Sequence, residues 1–130
     1  MSIAVSFGSD SIKNGSSVNK NSVGTSPTVL FQGFEPGYYT ITMLGLDVPY
    51  VHWIKSNVIS NGTRGSIVAN YSGPTPNTVA KRRYMVSVWR QVGGRLSPPP
   101  RTPLNRARFD IDRFAAKNGL AYVASIAFVV

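Results

Sequence analysis

The chain has 130 residues, 42% of them apolar, which suits one domain with one core and is too many for a disordered segment. It has no cysteine and a single histidine, which excludes a disulfide framework, thiolate metal sites and cysteine nucleophiles. Fourteen Lys and Arg against five acids give a charge of +9, and most of the excess lies between Lys81 and Lys117. A field of that size draws phosphate esters, anionic lipid heads, nucleic acid or acidic protein faces; a plain solubilising excess explains it equally well.

Taken in chain order, residues 1–27 are poorly patterned, and 8–27 are rich in Gly, Ser and Asn, which predicts loop with short edge strands at most. The start of the chain lacks a basic stretch followed by an apolar one, so no signal peptide is expected. A short apolar run, TVLFQGF, follows. GYYTITMLGLDVP alternates and carries Tyr, Thr and Ile, so it predicts a strand ending at Asp47. YVHWIKSNV predicts a second strand, SNGTRG a turn and SIVANY a short strand. SGPTPNT predicts a rigid loop built on Gly73, Pro74 and Pro76.

RRYMVSVWRQV is the strongest strand signal. It places Tyr84, Val86 and Val88 on one side and Met85, Ser87 and Trp89 on the other, and a strand apolar on both faces belongs in the middle of a sheet. Residues 93–108 hold four prolines and four arginines and predict a basic loop with no regular element. DIDRFAAKNG predicts the one helix. Asp110 is placed to cap it, Asp112 sits in its first turn, Ile111, Phe114 and Ala115 form its apolar stripe, and Gly119 ends it. LAYVASIAFVV predicts a closing strand, apolar throughout and therefore buried. No run is long and apolar enough to cross a membrane as a helix. These elements give a mostly-β domain of six to nine short strands with one helix before the last strand.

Enzyme chemistry has little to build from. A serine triad would need His52 as base, a carboxylate such as Asp47 and an exposed Ser, and no G-x-S-x-G elbow is present. Phosphate-cradling glycine loops are missing as well. No catalytic residue, no metal ligand and no cofactor is therefore expected. Tyr84, Trp89 and Phe109 lie among the arginines as stacking platforms for nucleic acid would, but the alternation puts Tyr84 and Trp89 on opposite faces of a buried strand, which argues for core positions and against that partner.

The segments LDVPYVHWIKSNV, YSGPTP, KRRYMVSVWRQ and RARFDIDRFAAKNGLAYVASIAF, in this order and spacing, resemble the phosphatidylethanolamine-binding protein (PEBP) family, which includes the Raf kinase inhibitor proteins and the florigen-type regulators of plants. The resemblance is good from about Tyr39 to Phe128 and weak before Phe31. It implies a single β-sandwich domain over 1–130 with a small anion pocket at one end. It also implies a regulatory, non-catalytic role, in which the pocket takes phosphate or a phosphorylated head group; the missing cysteines and signal peptide suggest the cytoplasm, within a large assembly or free.

Carried onto this chain, the pocket set is Asp47, Pro49, His52, Gly73, Pro74, Arg82, Arg83 and Tyr84. The family's first pocket acid falls on Gly45 and a pocket histidine on Arg82, so the motif departs from its pattern at two places. The resemblance further implies a cis peptide at Val48–Pro49, and a His52 that points into the pocket with Asp47 close enough to orient it. The other reading of His52 is a packed strand residue with one ring nitrogen tied to a main-chain carbonyl. Arg82 either offers phosphate its planar fork or fills the cavity, and Arg83 either binds ligand or braces a loop through Asp47. A second functional reading keeps the fold without the ligand: a structural or assembly component, for example of a virus particle, that grips an acidic protein partner through the basic loop.

Overall fold

The computed structural model describes residues 1–74 and 81–130; the expected loop residue Pro76 lies outside them. Nine strands and one α-helix follow in chain order among these residues: β1 (Ser2–Phe7), β2 (Asp10–Ile12), β3 (Ser16–Ser17), β4 (Thr28–Gln32), β5 (Tyr38–Gly45), β6 (Tyr50–Ile59), β7 (Ser66–Ala69), β8 (Arg83–Gln91), α1 (Ile111–Asn118) and β9 (Leu120–Val129). A single 3-10 turn, Lys20–Ser22, comes before β4.

The strands form two sheets. The larger has the order β3-β9-β8-β5-β6-β7, and the smaller has the order β2-β1-β4. Neighbours in both sheets are antiparallel except β3, which joins the end of β9 in parallel. β8 sits between β5 and β9, as a strand apolar on both sides requires.

The two faces of the large sheet are covered differently. On one, Tyr39, Ile41 and Met43 of β5 and Tyr84, Val86 and Val88 of β8 pack against Ile3, Val5 and Phe7 of the small sheet. Phe128 joins them, edge-on to Phe7 with ring centroids 5.5 Å apart. The other face carries Leu44, Val51, Ile54, Val68 and Ala69, covered by Phe109, Ile111 and Phe114. It also carries a buried polar layer of Thr40, Thr42, Ser56, Asn57, Ser87 and Gln91.

Helix α1 ends where its sequence says it should. The Asp110 carboxylate accepts from the Arg113 N–H at 3.1 Å, and Gly119, at φ 62°, closes the other end by donating to the Ala115 carbonyl.

Two expectations change. The N-terminal stretch is not an unpatterned tail: Ile3, Val5 and Phe7 alternate inward, and β1 pairs with both β2 and β4. β9 is not buried throughout, since Phe128 alone is fully enclosed and Tyr122 is 57% exposed. The reason is its place in the sheet: beyond β9 stands only the two-residue β3. No helix among the described residues is long and apolar enough to cross a membrane.

Candidate functional site

Strand β6 carries one more residue than its partner at His52. Met43 faces Trp53 and Leu44 faces Val51, which leaves His52 unpaired in a β-bulge. The bulge turns Val51 toward the helix side and Trp53 toward the small sheet. It also frees the imidazole from the regular alternation, and bulges re-aim side chains in this way at the rims of sheets.

The freed ring points at a cavity of about 270 Å³ lined by Gly45, Val48, Tyr50, His52, Ser72, Gly73, Arg82, Arg83 and Tyr84. Tyr50 and Tyr84 flank the imidazole, with ring centroids 4.8 and 5.3 Å from it. The ring is 8% exposed. Its Nδ1 lies 2.6 Å from the Ser72 carbonyl oxygen. A carbonyl only accepts, so Nδ1 carries the proton and Nε2 is left with its lone pair. The contact is reciprocal, because the Ser72 N–H donates to the His52 carbonyl at 2.9 Å. Burial holds the His52 pKa below its ordinary 6.5, the Ser72 carbonyl opposes that shift, and the Arg106 guanidinium adds to it. His52 is thus neutral near pH 7. Arg106 reaches the scene from behind, with Nη1 at 3.3 Å from both the Val51 and His52 carbonyls.

Asp47 does not orient His52. One of its oxygens accepts from the Arg83 main-chain N–H at 2.6 Å, and the other takes Nε at 3.0 Å and Nη2 at 2.7 Å. These bonds to Arg83 lower the Asp47 pKa, and both side chains are largely solvated. Arg83 therefore braces the turn at residues 46–49 while still lining the cavity.

The Val48–Pro49 bond is trans, and the cis bond among the described residues is Ser97–Pro98. A four-residue turn pinned by Asp47 reverses the chain instead. Pro49 lies outside the cavity lining, where its carbonyl accepts from the Arg108 N–H at 2.9 Å. Pro74 is buried and does not line the cavity either.

Arg82 lines the cavity without filling it, and its guanidinium has no ion-pair partner among the described residues. Gly45 explains the missing acid. A Cβ there would stand 2.9 Å from the Val48 carbonyl oxygen and 3.2 Å from His52 Nε2, so this turn has no room for a carboxylate. Gly73 is equally constrained, since a Cβ would meet the Val23 carbonyl oxygen at 2.5 Å. That carbonyl accepts from the Tyr71 hydroxyl at 2.6 Å, and burial pushes the Tyr71 phenol far above its usual range.

Sequence reasoning missed Tyr50 and Ser72. Tyr50 was open to it, two residues before His52 on one strand. Ser72 was not, because its role is played by the main chain.

No protein-family model matches the chain, and no curated protein matches it in sequence. Solved structures do. A carboxypeptidase Y inhibitor, seen in complex with its cognate proteinase, superposes with a TM-score of 0.80 at 15% identity, over 98% of this chain and 81% of that one. A protein of Chlamydia trachomatis described as a PEBP homologue superposes with a TM-score of 0.69 at 16% identity, over 99% of this chain and 97% of that one.

Proposed function

On a chain with the PEBP-like fold, we propose that the Gly45–His52 cavity binds a phosphate group, free or on a small head group, and that the protein works as a non-catalytic regulatory module. The observation that carries this reading is the convergence of Arg82, Arg83 and His52 on the lining of one cavity, beside a Gly45 that has no room for a side chain. Arg82 has no carboxylate partner among the described residues, and a guanidinium presents phosphate with two parallel N–H groups. Tyr50 and Tyr84 supply walls for the carbon chain of a head group.

His52 sets the protonation of the ligand. Its Nε2 is an acceptor, so the site favours a phosphate monoanion that donates its own O–H, or takes up a proton as a dianion binds. In either case affinity rises as pH falls. Titration of the full chain with inorganic phosphate and with phosphorylethanolamine tests this by calorimetry between pH 5.5 and pH 8, a range chosen to span roughly the ordinary imidazole pKa. Saturable binding should strengthen toward low pH, weaken by about tenfold or more in Arg82→Gln, and disappear in Gly45→Ala, whose methyl group crowds His52 Nε2 and the Val48 carbonyl. A chain that binds neither ligand at millimolar concentration, or a Gly45→Ala variant that binds as well as the native one, overturns the reading.

A further inference from the structure

We propose that the chain has a second oxyanion site, for a phosphate group, at the opposite end of the β5–β6 hairpin, between Arg64 and Arg95. It lies roughly 20 Å from the first cavity, since seven residues of β5 separate the two ends at about 3.3 Å each.

The architecture repeats that of the first site. β6 carries a second irregularity, where Tyr39 faces Val58 and Ile41 faces Lys55, so Thr40 stands opposite two residues, Ser56 and Asn57. Asn57 sits at φ 57°, in the left-handed region, and next to this bulge opens a cavity of about 230 Å³ lined by Tyr38, Asn57, Arg64, Ser66 and Arg95 among others. Both cavities thus adjoin a bulge of the same strand and count two arginines in their lining.

Neither arginine is matched by an acid among the described residues. Both are presented from backbone that the fold holds firmly. The Asn57 side chain takes both main-chain groups of Leu96: its Oδ1 accepts from the N–H at 2.8 Å and its Nδ2 donates to the carbonyl at 2.9 Å. Gln91 Nε2 donates to the Gly94 carbonyl at 3.0 Å and to Asn57 Oδ1 at 2.9 Å. Residues 94 and 96 are therefore clamped on either side of Arg95.

On the other wall, Arg64 itself is at φ 63°, a left-handed conformation that is strained for a non-glycine residue. The turn before it is closed by the Ile59 N–H donating to Thr63 and the Gly62 N–H donating to Ile59. Gly65, next in the chain, lies so close to the Ser56 carbonyl oxygen that a Cβ would approach it to 2.8 Å. Strained and braced backbone that carries two cationic residues of one cavity lining is the arrangement that preorganised binding requires. Tyr38 and Ser66 also line the cavity, and hydroxyl groups donate to a tetrahedral oxyanion.

The test is a titration of the 15N-labelled full chain with inorganic phosphate, against potassium chloride at equal ionic strength. The amides of Gly65, Ser66, Arg95 and Leu96 should shift saturably with phosphate and not with chloride. Arg64→Gln and Arg95→Gln should each weaken that response by about tenfold, and both residues are exposed, so the fold should survive. Gly45→Ala should leave it intact, which separates this site from the first. A response that chloride reproduces, one that persists in the double variant, or none at all overturns the proposal.

Discussion

The two faces of the large sheet are held by different physics. Toward the small sheet, Phe7, Tyr39, Met43, Val86 and Phe128 make a dry apolar layer. Toward the helix, Leu44, Ile54 and Val68 share the surface with buried Thr40, Ser56, Asn57 and Gln91. Apolar burial is non-directional and scales with area. A buried hydrogen-bonded layer adds little net energy and fixes geometry, because any partner left unmatched is costly. The first face thus stabilises the body, and the second positions residues 94–96 through Gln91 and Asn57.

That division can be broken at three points. The largest effect belongs to Phe128→Ala, which opens a cavity between Phe7 and Tyr84. It should cost about 3–5 kcal/mol, read by chemical denaturation, with unfolding remaining a single transition. A loss under about 1 kcal/mol would show that this face does not carry the body.

A smaller effect is expected from Gln91→Leu. It leaves the Asn57 N–H and the Gly94 carbonyl without their partner and the Thr40 hydroxyl with Ser56 alone, and should cost about 1–3 kcal/mol. Its signature is local: hydrogen exchange at Leu96 and Asn57 should accelerate more than exchange in β1. Uniform acceleration would mean that the polar layer is simply more core.

The smallest effect is the pH dependence of His52, whose bulge lies where Val51 and Trp53 part toward opposite faces. The folded pKa is below the unfolded 6.5, so the unfolded chain binds the proton more readily. The stability contribution of the neutral ring is fully present above pH 6.5 and is lost as pH falls below it toward the folded value. His52→Gln should flatten that part of the profile, measured by denaturation at stepped pH. A native protein equally stable on both sides of this window would show that the ring is free to charge.

The strands that position both cavities were legible in the residues. Alternation in 82–92 and the caps Asp110 and Gly119 gave elements that the fold keeps almost to the residue, while the strand expected to end at Asp47 stops at Gly45, where the turn begins. β1 was legible too, in Ile3, Val5 and Phe7, but its signal is three residues long and next to a Gly- and Ser-rich stretch. The exposure of β9 was not, because apolar content does not report how many strands lie beyond it.

The site was readable in its residue types and not in its pairings. Asp47 and His52 are close in sequence, yet each is satisfied by a distant main-chain group, Arg83 N–H and Ser72 carbonyl. Arg64 and Arg95 are separated by some thirty residues of unrelated pattern, and the bulge that joins them leaves no mark in composition.

The Val23 carbonyl has a role out of proportion to its size. It takes the Tyr71 hydroxyl and lies against the Cα of Gly73, so a segment that contributes no lining residue serves as the buttress of the first cavity. Amputating residues 1–27 would not yield a trimmed version of this protein. It would take away the post against which the Tyr71–Gly73 wall leans, and with it the spacing between Ser72 and the imidazole.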